Sequence, residues 1–165
     1  MIRPVQPEDC DELAALYLAN RDFLAPFEPT RPPEFFTGDG QRERLQRQLQ
    51  GATHPFAILD GDAIAGTINL FNIVRESLQS GVIGYWVDHA RNGRGLATRA
   101  VGEILAYAFD GLELHRVEAA TLVHNISSQR VLEKNGFERI GLARRFLRID
   151  DEWRDFFLFQ RLADD

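Results

Sequence analysis

The residues best equipped for chemistry lie in the run Asp88-His89-Ala90-Arg91-Asn92-Gly93-Arg94-Gly95-Leu96-Ala97-Thr98. An apolar stretch, Val82 to Val87, leads into it, and from Arg94 onward Leu96, Val101, Ile104, Leu105, Ala108 and Phe109 recur at helical spacing. A buried strand therefore passes through a glycine turn into a helix. Glycine lets a ligand approach the backbone closely, and the unpaired N–H groups and dipole of a helix start favour negative charge. The pattern predicts an anion cradle over residues 93 to 98, suited to a pyrophosphate and built from Gly93, Arg94, Gly95, Ala97 and Thr98, with Arg91 adding charge. A dinucleotide site of the βαβ type fits less well. It needs a third glycine where Thr98 stands, a βα unit near the N-terminus and an acidic residue about 20 positions further on.

Other reactive side chains are sparse. His54, His89, His115 and His124 show no His-x-x-x-His spacing and no cysteine partners, so no metal site is expected. Cys10 is the only cysteine, which rules out an internal disulfide, and it reads as a structural thiol. Glu28, Glu76 and Asp88 are candidate bases among the carboxylates, with Glu28 set in a stretch rich in proline and aromatics.

These residues have to be positioned by the elements around them. Ile2 to Val5 reads as a strand, Pro7 to Asn20 as a helix, and the Pro- and Phe-rich stretch from Phe23 to Phe36 as a stiff connection before a polar helix over 41–50. Pro55 to Leu59 and Ala63 to Phe71 flank Asp60-Gly61-Asp62, a tight hairpin signal. After the strand Val82 to Val87, the helix from Arg94 is stopped by Gly111, and Arg116 to Val123 returns to strand. A short helix starts at Ser127 or Ser128 and ends at Asn135-Gly136, and strands over 138–148 and 153–162 complete a mixed α/β sandwich.

The chain has 165 residues, 44% hydrophobic and 27% charged, which suits one domain spanning 1–165. A net charge of −6 argues against overall attraction to nucleic acid or an anionic membrane. No signal peptide or membrane span is legible, so a soluble, cytoplasmic protein is expected.

Asn92-Gly93-Arg94-Gly95-Leu96-Ala97 resembles the pyrophosphate loop of the GCN5-related N-acetyltransferases (GNAT), Gln/Arg-x-x-Gly-x-Gly/Ala, with Asn92 in place of Gln or Arg. Thirty residues later, Asn125-Ile126-Ser127-Ser128 and Gly136-Phe137 resemble that family's second element. Asn20 to Pro29, Phe71 to Arg75 and Ile149 to Asp155 look like the RimJ/RimL branch, which acetylates the N-termini of ribosomal proteins, nearer to RimJ than to RimL.

The resemblance implies a mixed, mostly antiparallel sheet flanked by helices, with two central parallel strands, 82–87 and 116–123, splaying to admit acetyl-CoA as cosubstrate. Pantetheine would lie on the open edge of the first strand, with the thioester carbonyl near the amide of Trp86 or Val87, and the amide of Asn125 against the pantetheine arm. The family's frequent thiolate-protonating Tyr falls at Leu132, and Ser128 is the hydroxyl offered instead. Both Asn125 and Ser128 also suit a helix cap. Glu28 falls on the acceptor side. Direct transfer to an amine is implied, with a protein or peptide N-terminus, such as that of a ribosomal protein, as the partner, and with no metal. A small amine such as an antibiotic or polyamine as acceptor, a non-catalytic CoA-binding regulator, and a homodimer are left open.

Overall fold

A computed structural model describes residues 1–164 of the chain. The hairpin signal forms as its chemistry requires: β2 (His54–Asp60) turns directly into β3 (Ala63–Val74), and Gly61 supplies the positive φ of 65°. With β1 (Ile2–Pro4), β4 (Ser80–Val87), β5 (Arg116–Leu122), β6 (Glu138–Ile149) and β7 (Glu152–Leu162) these strands make a seven-stranded sheet of order β1-β2-β3-β4-β5-β7-β6. All neighbours are antiparallel except β4 and β5. This is the mixed sheet, mostly antiparallel and flanked by helices, that the sequence implies.

Alternation along β2 sends its side chains into two layers. Phe56 and Ile58 join Ile68, Leu70, Val101, Ile104 and Leu132 in the larger core beneath α4 (Leu96–Ala106) and α5 (Ile126–Lys134). Ala57 packs on the other face with Cys10, Leu13 and Leu45, beneath α1 (Cys10–Ala19) and α3 (Gly38–Gln50). A one-turn helix, α2 (Arg21–Leu24), starts the aromatic connection, and Leu24 and Phe35 bury against Tyr17 and Trp86.

Several boundaries differ from the sequence reading, each for a local reason. Helix α3 starts at Gly38 rather than 41 because Thr37 Oγ1 accepts from the Gly40 N–H and caps it. Helix α5 starts at Ile126, capped by Asn125 instead of a serine. Helix α4 ends at Ala106, and a wider π-type turn over Tyr107–Gly111 follows, with the Tyr107 hydroxyl 2.7 Å from His54 Nδ1. Among the described residues no helix is long and apolar enough to cross a membrane.

The parallel pair is short. Its register holds at Ser80↔Arg116, Gly81↔Val117 and Val82↔Glu118 and then stops. Beyond that point β4 stays with β3 as far as Gly66↔Val87, whereas β5 stays with β7 as far as Leu122↔Phe156. The two halves of the sheet separate as a wedge. Gly66 keeps one side of it closed, since a Cβ there would meet the Trp86 carbonyl oxygen and no side chain could yield. We expect Gly66→Ala to cost about 1–3 kcal/mol by forcing β3 from β4, seen as a lower urea midpoint. An unchanged midpoint would show that β3 and β4 have slack.

Candidate active site

The wedge is a cleft of about 850 Å³, lined by β4 and β5, the start of α5, and the aromatic connection. Register fixes which backbone groups face it. The Asp88 N–H donates to the Ala65 carbonyl at 2.7 Å, which makes residues 65 and 88 a hydrogen-bonded pair in the antiparallel ladder. Such pairs alternate, so Trp86 turns its N–H and C=O toward Thr67. Tyr85 and Val87 turn theirs toward the gap, where β5 has already left. Of the two amides considered for the thioester carbonyl, that of Val87 therefore faces the cleft and that of Trp86 is committed to β3. Trp86 contributes its indole instead, packed 4.6 Å from the Tyr17 ring.

The end of β4 is held by Asn20, which is 2% exposed. Its Oδ1 accepts from the His89 N–H at 2.9 Å, and its Nδ2 donates to Leu16 O at 3.0 Å and to Asp88 Oδ1 at 3.1 Å. The chain then enters the glycine turn. Gly93 and Gly95 have φ of 80° and 75°, and a Cβ on either would meet nothing within 4 Å. That combination leaves an open concavity in front of the free N–H groups at the start of α4. Asn92 and Ala97 line the cleft beside it. Thr98 accepts from Asn135 Nδ2 at 3.1 Å through its carbonyl, which ties α4 to the end of α5. Arg94 is less free than its charge suggests: it pairs with Asp60 at 2.9 Å, and Arg91 lies 3.6 Å from the same carboxylate and 3.5 Å from Asp88. The backbone amides are therefore the main unpaired donors of the turn.

Across the cleft, Asn125 Oδ1 accepts from the Ser128 N–H at 3.2 Å, so the cap of α5 is the asparagine. The Ser128 hydroxyl is left free of capping and lies 2.8 Å from the Tyr85 hydroxyl on β4. Burial raises the Tyr85 phenol to about 12, against a smaller lowering by Ser128. Sequence reasoning passed over Tyr85, because an aromatic in a buried strand reads as core. Leu132 is fully buried and offers no hydroxyl.

On the opposite face of β4, Glu28 lies 3.7 Å from Arg31. Burial raises its carboxyl above the ordinary range, and Arg31 and Arg44 only partly offset this. Arg31 stacks over Phe35 at 4.8 Å, and Arg44 lies over Tyr17 at 5.6 Å and Phe35 at 5.4 Å. The turn at 150–152 adjoins this end through Thr30, whose hydroxyl donates to Asp150 at 3.1 Å. The other candidates lie elsewhere: Cys10 is fully buried at the start of α1, its thiol pushed up by desolvation, and Glu76 is exposed in the turn after β3. Among the described residues no group of His, Cys, Asp and Glu could hold a metal ion.

Residues 1–138 match the model of the acetyltransferase (GNAT) domain. The chain is 39% identical over 160 residues to a "Probable N-acetyltransferase YjcK" of Bacillus subtilis, covering 93% of this chain and 88% of that one. It is 34% identical over 164 residues to the "[Ribosomal protein uS5]-alanine N-acetyltransferase" of Escherichia coli, covering 96% and 84%. The solved structure of Mycobacterium smegmatis RimJ in complex with CoA-disulfide superposes with a TM-score of 0.92 at 30% identity, over 99% of this chain and 81% of that one. The open strand edge, the glycine turn and these matches agree, and the chain belongs to the GNAT family of N-acetyltransferases.

Proposed function

We propose that the protein transfers the acetyl group of acetyl-CoA directly to an amine, most readily the α-amine of a protein or peptide N-terminus such as that of a ribosomal protein. The observation that carries this reading is the unpaired edge of β4, which leads from Tyr85 and Val87 straight into the glycine turn of α4. Strand-edge amides and carbonyls pair with the amides of pantetheine as an added strand would. The N–H groups at the start of α4 take the pyrophosphate, and Asn92 and Asn125 lie beside that path. The RimJ structure with CoA-disulfide supports the same assignment.

Acetyl-CoA supplies an acyl group already activated as a thioester. The Val87 N–H faces the position where its carbonyl oxygen gains charge. Glu28 removes the proton of the incoming amine, its raised affinity for protons suiting it to this task. Ser128 gives a proton to the departing sulfur. No residue becomes acylated, since Cys10 is buried at the start of α1 in the core with Leu13 and Leu45, away from the cleft.

The acceptor end favours an α-amine on two counts. Deprotonating a lysine at neutral pH costs roughly 3.5 kcal/mol more than deprotonating an α-amine. Arg31 and Arg44 stand at that end beside Glu28, with Asp150 adjoining, and the two cations disfavour a polycation and help keep a nearby amine neutral. The name of the Escherichia coli relative, an alanine N-acetyltransferase of ribosomal protein uS5, supports this acceptor class.

We expect a short peptide with a free α-amine to exceed its N-blocked, lysine-containing counterpart and spermidine in kcat/KM. A preference for the blocked peptide or for spermidine would overturn the acceptor assignment. Gly95→Ala should cost about 1–2 kcal/mol of stability for a left-handed residue and weaken acetyl-CoA about tenfold by placing a methyl in the anion concavity. An unchanged Kd by calorimetry would remove the glycine turn from the site.

Glu28→Gln should lower kcat and abolish the acid limb of the rate profile, which in the wild type lies above the ordinary carboxylate range. The wild-type penalty for ionising Glu28 is absent below its unfolded pKa and develops fully once pH exceeds its raised folded pKa. The variant should therefore be at least as stable as wild type at pH 7, while the two converge in acid. A less stable variant with an unaltered rate profile would make Glu28 a structural partner of Arg31.

A further inference from the structure

We infer that Tyr85 is a positioning residue for acyl transfer, holding the Ser128 hydroxyl so that its proton points into the cleft. The inference rests on the acetyl-CoA reading above and goes beyond it by assigning a second residue to the proton path. Tyr85 and Ser128 belong to elements that the wedge separates, yet their hydroxyl oxygens stand 2.8 Å apart, and both side chains line the cleft.

A serine hydroxyl has one proton and can turn freely unless something accepts or donates to it. The usual competitor is helix capping, and here Asn125 performs it. Two arrangements of the pair remain. In one, Tyr85 donates to Ser128 Oγ and leaves the serine proton for the cleft. In the other, Tyr85 donates to the Ser128 carbonyl at 3.3 Å, and the serine proton is spent on the phenol oxygen. The 2.8 Å contact is made in both, but the nearer acceptor for the phenol proton is Oγ, at 2.8 Å against 3.3 Å for the carbonyl, and the inference takes the first.

A phenol raised to about 12 stays neutral throughout the working range, so Tyr85 acts as a fixed donor. During transfer the amine nitrogen bonds to the acetyl carbon, the C–S bond breaks, and its electron pair stays on sulfur. Glu28 has taken the first proton of the ammonium, sulfur takes the proton of Ser128 Oγ, and the second proton, lost by nitrogen as the amide forms, restores the Oγ–H. The products are an amide and a free thiol, and Tyr85 is unchanged. A Tyr85 that donates to Oγ throughout also stabilises the serine oxygen as its own proton leaves.

The test is a double-mutant cycle of Tyr85→Phe and Ser128→Ala, with thiol release from acetyl-CoA followed for a free-α-amine peptide. We expect Tyr85→Phe to lower kcat about tenfold, at the lower end for a positioned proton donor, with the KM for acetyl-CoA within about twofold of wild type. In the Ser128→Ala background the same change should have no further effect, since a group acting through Ser128 has nothing left to position. A wild-type kcat in Tyr85→Phe, equal multiplicative losses in both backgrounds, or a loss confined to KM would each overturn the role. Tyr85→Met fills the slot with a flexible apolar chain and should reproduce the kcat loss, which keeps the test decisive if the phenylalanine variant folds poorly. A wild-type protein that releases no thiol with any acceptor would overturn the acetyl-CoA reading itself, and the role of Tyr85 with it.

Discussion

The structure depends on a single interruption of hydrogen bonding: β4 and β5 pair at three positions and then part. Strand backbone groups in an interior are almost always partnered, so Tyr85 and Val87 present N–H and C=O groups that neither neighbouring strand satisfies. Any linear ligand with amides spaced along it can satisfy them without a side chain being tailored to it. The same interruption opens both faces of the sheet to one cleft. Groups on the α5 side, Tyr85 and Ser128, and groups on the α1 side, Trp86 and Glu28, can therefore act on one ligand from opposite directions.

A wedge of this kind would collapse if either half were free to follow the other. Each half is held by its own outer neighbours. Strand β4 is fixed to β3 by the close approach at Gly66 and to α1 by the buried Asn20, whose amide reaches both Asp88 and the His89 N–H. Strand β5 is paired along its whole length with β7, whose Phe159 is buried in the core with Leu132 and Phe137. The Tyr85–Ser128 contact is different in kind, because it spans the opening. It is the point at which the geometry of one half is communicated to a hydroxyl on the other.

Features set by local chemistry were legible in the sequence. Asp60-Gly61 and Gly93-x-Gly95 needed left-handed backbone and obtained it, and the apolar spacing of α4 and of the central strands marked their buried faces. Features set by contacts between distant segments were not. Asn20 looked like the end of a helix, and only the fold brings Asp88 and His89 to it, 68 and 69 residues away. Tyr85 was hidden for the same reason, its partner being 43 residues distant. The charge of the glycine turn was misjudged in the other direction. Arg91 and Arg94 read as free cations, but the hairpin turn carries Asp60 to both. The rival cap assignments at Asn125 and Ser128 were undecidable from spacing, since either side chain suits the start of a helix; the observed bond gives the cap to Asn125.

Net charge is a poor guide to what such a cleft selects. The chain carries −6 overall, and at a Debye length of about 8 Å most of that charge is screened from any one point in the cleft. At the proposed acceptor end stand Glu28, Arg31 and Arg44, the arginines stacked on Phe35 and Tyr17 and so held in place. Aromatic stacking removes water from the guanidinium faces and strengthens their field at short range. In the reaction proposed above, two fixed cations beside one protonatable carboxylate would repel a second positive charge on the acceptor and leave a base for the first amine. In the proposed reaction the choice between acceptors of different charge number then rests on these local side chains rather than on the net charge of the chain.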